Sequence, residues 1–178
     1  RYLERNIEYH LKGNHLFSNA KALIFAGYFF EGEEASLWLK RGMKILESET
    51  REQILDDGGH YERSTMYHAL ALEDFLDLKN IILSNNKIFK EHKSFVTDID
   101  NIIDRMIIWL KTMTHPDGNI SFFNDAAFNI AASTKDLLSY ATRLNYESSD
   151  DLKEVTYLKN TGYIRVNVGN MSLFVDVA

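Results

Sequence analysis

Apolar residues recur with a helical period along most of this chain and alternate one by one near its end. Leu3, Ile7 and Leu11 fall on every fourth position, which predicts a first helix stopped by Gly13. From Ser18 to Phe30 the chain is apolar on nearly every side (Ala20, Ala22, Leu23, Ile24, Phe25, Ala26, Phe29, Phe30), so a helix buried on most sides and ended by Gly32 is expected. An amphipathic helix follows from Glu33 to Leu55, with Leu37, Trp38, Ile45, Leu46, Ile54 and Leu55 as its apolar side, closed by the turn Asp56-Asp57-Gly58-Gly59. Ser64 has the character of an N-cap for a helix from Thr65 to about Leu83, carrying Leu70, Leu72, Phe75, Leu76 and Leu78. Ser84-Asn85-Asn86 reads as a loop. Thr97 is the expected cap of the next helix, marked by Ile99, Ile102, Ile103, Met106, Ile107, Leu110 and Met113. After the turn His115-Pro116-Asp117-Gly118-Asn119 a further helical region is expected. It breaks near Ser133, where Ser133 and Asp136 have capping-box spacing ahead of Leu137, Leu138, Ala141 and Leu144.

Glu147 to Glu154 is a charged linker, and beyond it the period changes to two. Ile164, Val166 and Val168 alternate with Tyr163, Arg165 and Asn167. Gly169-Asn170 makes a two-residue hairpin turn, and Met171, Leu173, Val175 and Val177 alternate on the return strand. This divides the chain into helical hairpins over 1–146, a linker over 147–156 and the start of a β domain over 157–178. Antiparallel helices joined by short loops suggest a toroid or solenoid. A two-stranded hairpin is barely stable alone. With Arg1 as first residue and a strand-like end at Val175-Asp176-Val177-Ala178, we expect a piece of a longer protein.

Composition sharpens this picture. The 178 residues are 45% hydrophobic and 12% aromatic, enough for a folded core. The one proline, Pro116, agrees with a mostly helical chain. With 20 basic and 26 acidic side chains the formal charge is -6, which disfavours general nucleic-acid binding without excluding a local basic groove. No apolar run approaches the ~20 residues a membrane helix needs, so no membrane insertion is expected. The absence of cysteine excludes disulfides, thiolate metal sites and a cysteine nucleophile, and leaves the compartment open.

Titratable side chains gather in two places, each after a glycine turn: Asn14-His15, and His60-Tyr61-Glu62-Arg63 followed by Tyr67-His68. Helix starts favour anionic ligands through free N–H groups and the helix dipole. The plainer alternatives are a turn asparagine with a surface histidine, and a turn held by a Glu62–Arg63 or His60–Glu62 contact. His60 and Glu62, with Asp56 and Asp57 nearby, are a weak metal pattern; no zinc or EF-hand spacing is present, so neither a metal nor a cofactor is expected. Phosphate-loop, dinucleotide and Gly-x-Ser-x-Gly motifs are absent. His10 and His92 read as surface residues, Trp38 and Trp109 as core. Tyr61, Phe122 and Phe123, close to turns, are the better candidates for sugar platforms.

Gly13-Asn14-His15-Leu16, Ala22-Leu23-Ile24-Phe25-Ala26-Gly27 and Asp57-Gly58-Gly59-His60-Tyr61-Glu62-Arg63-Ser64 through Met66-Tyr67-His68 resemble the heparinase II/III-like polysaccharide lyases. His115-Pro116-Asp117-Gly118, Phe123-Asn124-Asp125 and the final hairpin with Asp176 fit the same pattern, so the resemblance covers nearly the whole chain. Thr65 stands where the family usually has proline, a mild change at a first-turn position. The resemblance implies a mainly α fold: an incomplete α/α toroid of antiparallel helical hairpins, then the first β-hairpin of an antiparallel β-sandwich. It also implies β-elimination on uronate polysaccharides, with Asn14 and His15 neutralising the uronate carboxylate and Tyr67 as the catalytic tyrosine. A further family histidine lies in the β domain beyond this chain, so the piece alone is expected to be inactive or badly impaired.

The chemistry suits these residue types. The C5 proton of a uronate becomes acidic only when the neighbouring carboxylate is neutralised, which positioned donors do for roughly 3 kcal/mol each. A tyrosine, with a free pKa of about 10, needs a cationic neighbour to move protons readily. Arg63 and His68 are the local candidates, although His68 can equally serve behind Tyr67. His60, Tyr61, Glu62, Arg63 and His68 are expected to shape the substrate groove, Arg63 as a fork for a second carboxylate or sulfate. Asn124 and Asp125 either bind sugar hydroxyls or cap a following helix. The expected partner is an anionic polysaccharide and the expected compartment periplasmic or secreted. The oligomeric state is unreadable. The alternative is a non-catalytic carbohydrate-binding or polysaccharide-biosynthesis-associated toroid. A protein–protein scaffold leaves the polar clusters unexplained, and a glycoside hydrolase wants a carboxylate pair that Glu62 and Asp125 do not evidently form.

Overall fold

The computed structural model describes residues 2–84, 93–147, 152–169 and 171–178. His92, the Asn85-Asn86 part of the expected loop, Asn170 of the hairpin turn and 148–151 of the expected linker lie outside the described residues. The chain forms two compact units, 1–53 and 54–178.

In the first unit, α1 (Tyr2–Arg5) is a single turn, and α2 (Gly13–Phe29) and α3 (Glu33–Gln53) form an antiparallel hairpin. The expected first helix therefore does not run to Gly13. The Asn19 side chain captures Glu8, accepting its backbone N–H at 3.1 Å and donating to its carboxylate at 2.9 Å, and this tertiary pairing replaces a helical ladder there. Gly13 begins α2 instead, so Asn14 and His15 lie on its first turn. Two glycines set how closely the hairpin packs. A Cβ on Gly27 would come within 2.6 Å of the Leu39 nitrogen, and one on Gly42 within 2.9 Å of the Ala20 carbonyl. The close seam buries Ala20, Leu23, Ile24, Leu39, Met43 and Leu46. It leaves the opposite face of α2, with Phe25 and Phe29, exposed, where a helix buried on most sides was expected.

In the second unit, α4 (Thr65–Ser84), α5 (Lys93–Thr112) and α6 (Thr134–Arg143) pack together. Phe95 and Val96 are already buried, so the apolar face of α5 starts a turn before Ile99 and Thr97 lies inside the helix rather than capping it. Ser133 does cap α6, accepting the Asp136 N–H at 3.2 Å and pairing with its carboxylate at 2.6 Å. Residues 119–133 form no helix: Asn124 (φ 53°) and Asn129 (φ 63°) take left-handed conformations that a helix cannot contain. Polar pairs tie the helices, with Tyr140 donating to Asp77 at 2.9 Å and Lys79 meeting Asp100 at 2.5 Å.

The β segment has three antiparallel strands in the order β1 (Val155–Leu158), β2 (Tyr163–Val168), β3 (Met171–Asp176), one more than the hairpin expected. Its buried face carries Tyr163 and Arg165 rather than the aliphatic set Ile164, Val166 and Val168. Tyr163 joins Trp109, Met113 and Leu158 in one core, flanked by Phe123 and Phe174. Arg165 is buried because it has work there: its guanidinium donates to the carbonyls of Lys111, Thr112 and Thr114 at 2.8–3.0 Å, closing the C-terminal end of α5. Among the described residues no helix is long and apolar enough to cross a membrane.

Candidate active site

The Asp57-Gly58-Gly59 turn anchors the polar cluster that follows it. One Asp57 carboxylate oxygen accepts the backbone N–H of Asn160 and of Thr161 at 2.8 and 2.7 Å and the Thr161 hydroxyl at 3.0 Å. The other accepts the Gly59 N–H at 3.1 Å. Gly58, at φ 88°, lies against the α5 backbone at Arg105, and Gly59 against the Trp109 indole. Sequence reading singled out the turn but not Thr161 or Trp109 as its partners.

This anchoring determines where each candidate side chain lies. His60 is buried; its Nδ1 accepts the Glu62 N–H at 3.4 Å, and its ring meets Tyr61 edge-on at 4.9 Å. Burial lowers its pKa to about 4, so it is neutral near pH 7. His68 is fully buried; its Nε2 donates to the Met106 carbonyl at 2.9 Å and its ring lies 4.2 Å from that of Trp109. Burial, against the Met106 hydrogen bond, lowers its pKa to about 3. Neither imidazole is a cation that Tyr67 can use.

Tyr67 sits on the first turn of α4, half-buried, and its hydroxyl has no hydrogen-bond partner among the described residues. Ser64 caps that turn, accepting the Tyr67 N–H at 3.3 Å while donating to the Asp125 carbonyl at 2.7 Å. Thr65, in the place of the usual proline, is buried with its hydroxyl 3.0 Å from that of Ser121. Burial, then the nearby Asp125 charge, raises the pKa of the half-buried Glu62. Arg63 takes a left-handed conformation (φ 56°), and its half-buried guanidinium has no ion-pair partner among the described residues.

The structure thus brings Arg63, Asn124, Asp125 and Tyr67 to one end of α4. The Asn124 amide donates to the Arg63 carbonyl at 3.1 Å and to the Tyr163 hydroxyl at 3.2 Å, so it is neither a helix cap nor an unengaged sugar ligand. The Asp125 side chain is exposed. Phe123 packs against Tyr163 at 4.9 Å as a core ring, whereas Phe122 is exposed against Phe128 at 4.3 Å. Tyr163 was not singled out from sequence; its place as the first residue of an alternating strand was the available signal.

In the other unit, Asn14 is half-buried and its side chain has no hydrogen-bond partner among the described residues. The exposed His15 ring lies 3.7 Å from the Glu8 carboxylate, and the His15 carbonyl accepts from Asn19 at 2.9 Å. Lys12, at the N-cap position of α2, makes no side-chain cap, which leaves the first-turn N–H groups available. Among the described residues no three His, Asp or Glu side chains converge as a metal site requires.

The chain is similar to a heparin-sulfate lyase of Bacteroides stercoris, 33% identical over 119 residues, which cover 66% of this chain and 17% of that protein. Among solved structures it is similar to a heparinase III, at a TM-score of 0.72 and 20% identity over 94% of this chain and 29% of that one. It is also similar to a heparan sulfate lyase of Pedobacter heparinus, at a TM-score of 0.66 and 23% identity over 93% of this chain and 27% of that one. The chain therefore spans about a sixth of its curated relative's length. The fold class is the one expected: mainly α, with helical hairpins of an incomplete α/α toroid followed by the opening strands of an antiparallel β-sandwich. Residues 1–153 match the model of the heparinase II/III N-terminus, and the chain belongs to that family.

Proposed function

We propose that this chain is part of a lyase that cleaves a sulfated, uronate-containing polysaccharide by β-elimination, without a cofactor in the chemical step. The observation that carries the reading is Tyr67: a half-buried phenol with no hydrogen-bond partner among the described residues, one helical turn after the unpaired guanidinium of Arg63. The heparin-sulfate lyase relatives support the substrate class.

In this mechanism the uronate carboxylate is neutralised by Asn14 and His15, aided by the uncapped N–H groups of α2. The C5 proton then leaves to a base, C4 and C5 form a double bond, and the C4–O4 bond breaks as O4 gains a proton. Tyr67 is the proton-transfer group. Arg63 binds a second carboxylate or a sulfate through its planar fork and supplies the cationic field Tyr67 needs, since His60 and His68 are neutral. Tyr61, Glu62 and Asp125 line the groove. A polysaccharide substrate supports a periplasmic or secreted compartment for the enzyme.

The test is ultraviolet absorbance of the unsaturated uronate product, using the full-length protein and its Tyr67→Phe variant on heparan sulfate, chondroitin, hyaluronan and alginate. Product from heparan sulfate that disappears in the variant is expected. Binding without product on any polymer would replace this reading with the non-catalytic carbohydrate-binding one.

A further inference from the structure

We infer that Tyr163 is a positioning residue for substrate binding: its hydroxyl, together with the Asn124 amide, fixes the backbone of Arg63 so that the guanidinium is held toward an anionic group of the polysaccharide. This rests on the lyase reading for the identity of the ligand.

Three observations lead there. Arg63 occupies the left-handed region (φ 56°), which is strained for a non-glycine residue and persists only where its surroundings enforce it. The enforcement is visible. Its N–H donates to the His60 carbonyl at 2.9 Å, and its carbonyl receives the Tyr163 hydroxyl at 2.8 Å and the Asn124 amide at 3.1 Å. Second, Tyr163 is rigid. It is fully buried, with ring centroids 6.2 Å from Trp109 and 4.9 Å from Phe123. Burial and then Asp176 raise its pKa to about 12, so the hydroxyl stays a donor near neutral pH. Third, packing alone requires only the ring. The hydroxyl is directed to the backbone carbonyl of Arg63, whose guanidinium has no ion-pair partner among the described residues. A tyrosine at the start of β2 thereby links the sheet to the substrate-binding turn before α4.

A double-mutant cycle in the full-length protein tests this, with heparan sulfate as the probe and titration calorimetry as the readout. Tyr163→Phe keeps the ring and removes the hydroxyl; it should weaken binding about fivefold. Arg63→Ala should weaken it about tenfold or more. The double variant should bind no worse than Arg63→Ala, because the hydroxyl acts through the arginine. Asn124→Gly keeps access to the left-handed conformation and should weaken binding in the same direction. In turnover, Tyr163→Phe should shift KM and kcat in the same sense as Arg63→Ala and to a smaller extent, with no further shift in the double variant, a pattern that general loss of structure does not produce.

Wild-type binding by Tyr163→Phe, additive losses in the double variant, or no heparan sulfate binding by the wild type would each overturn the inference. Additive losses in a protein that still forms unsaturated product would remove the positioning role and leave the lyase reading intact. Coupled losses in a protein that binds but forms no product would do the reverse.

Discussion

The Asp57 carboxylate accepts the Thr161 backbone N–H at 2.7 Å, joining two residues far apart in sequence. The same oxygen takes the Asn160 N–H and the Thr161 hydroxyl. One side chain therefore satisfies three donors of the β1–β2 turn and holds the turn that leads into His60–Arg63. Asp57→Ala strands those donors and should destabilise the protein by about 2–4 kcal/mol. Urea denaturation followed by tryptophan fluorescence measures it directly. A change within a few tenths of a kcal/mol would mean that water replaces the carboxylate at little cost.

Two glycines separate steric from conformational strain. A Cβ on Gly59 would lie 2.3 Å from the Thr161 methyl and 2.4 Å from the Trp109 indole nitrogen, which itself donates to the Thr161 hydroxyl at 2.9 Å. Gly118 has φ 87° and nothing within 4 Å of an added Cβ. Gly59→Ala should therefore cost about 3 kcal/mol or more through overpacking, and Gly118→Ala about 1 kcal/mol through backbone strain alone. Thermal melts of the two variants should rank in that order; the reverse ranking would contradict the packing described here.

Arg165 gives a third test. Its guanidinium serves three carbonyls at the end of α5 together with the Asn167 and Ser172 side chains, and lies 5.2 Å from the Phe174 ring. Lysine keeps the charge but cannot span so many acceptors. Arg165→Lys should cost about 2 kcal/mol, and Arg165→Leu, which removes all three guanidinium–carbonyl bonds at the end of α5, about 4 kcal/mol. Equal melting temperatures for wild type and Arg165→Lys would show that charge alone suffices.

What could be read from sequence followed the reach of each interaction. The α3 and α4 helices, the Ser64 cap and the Ser133–Asp136 capping box depend on neighbours within a turn, and all are visible in the one-dimensional pattern. The first expected helix failed because Asn19 captures Glu8 from eleven residues away, which no periodicity encodes. Residues 119–133 failed because left-handed Asn124 and Asn129 override an apolar run. Alternation marked β2 as a strand but did not say which face is buried, since Arg165 is buried by the carbonyls of α5 rather than by hydrophobicity. In the candidate site, residue types and order gathered Tyr67 and Arg63 into one polar cluster, and the family resemblance alone gave Tyr67 its expected role. The three-way bond among Arg63, Asn124 and Tyr163 joins positions some sixty and a hundred apart, and only the fold assembles it.

The two buried histidines make stability depend on pH in one direction. In the folded protein His60 and His68 have pKa values lowered to about 4 and about 3, from 6.5 when unfolded. Below pH 6.5 the unfolded chain therefore binds protons that the folded chain refuses, and stability falls as pH falls. The loss begins near the unfolded pKa and ends only below the folded ones, with each histidine contributing on the order of 3 kcal/mol. His68 is the sharper case. Its Nε2 proton is committed to the Met106 carbonyl, its Nδ1 has no hydrogen-bond partner among the described residues, and a second proton there would place a charge against Trp109 away from water. The melting temperature should be flat above about pH 7 and should drop steadily from pH 6.5 toward 4. His68→Leu should flatten part of that slope even if it lowers stability at neutral pH, because it removes the titration along with the hydrogen bond. Identical slopes in wild type and variant would show that His68 takes up its proton in the folded state, and would restore it as a cation available to Tyr67.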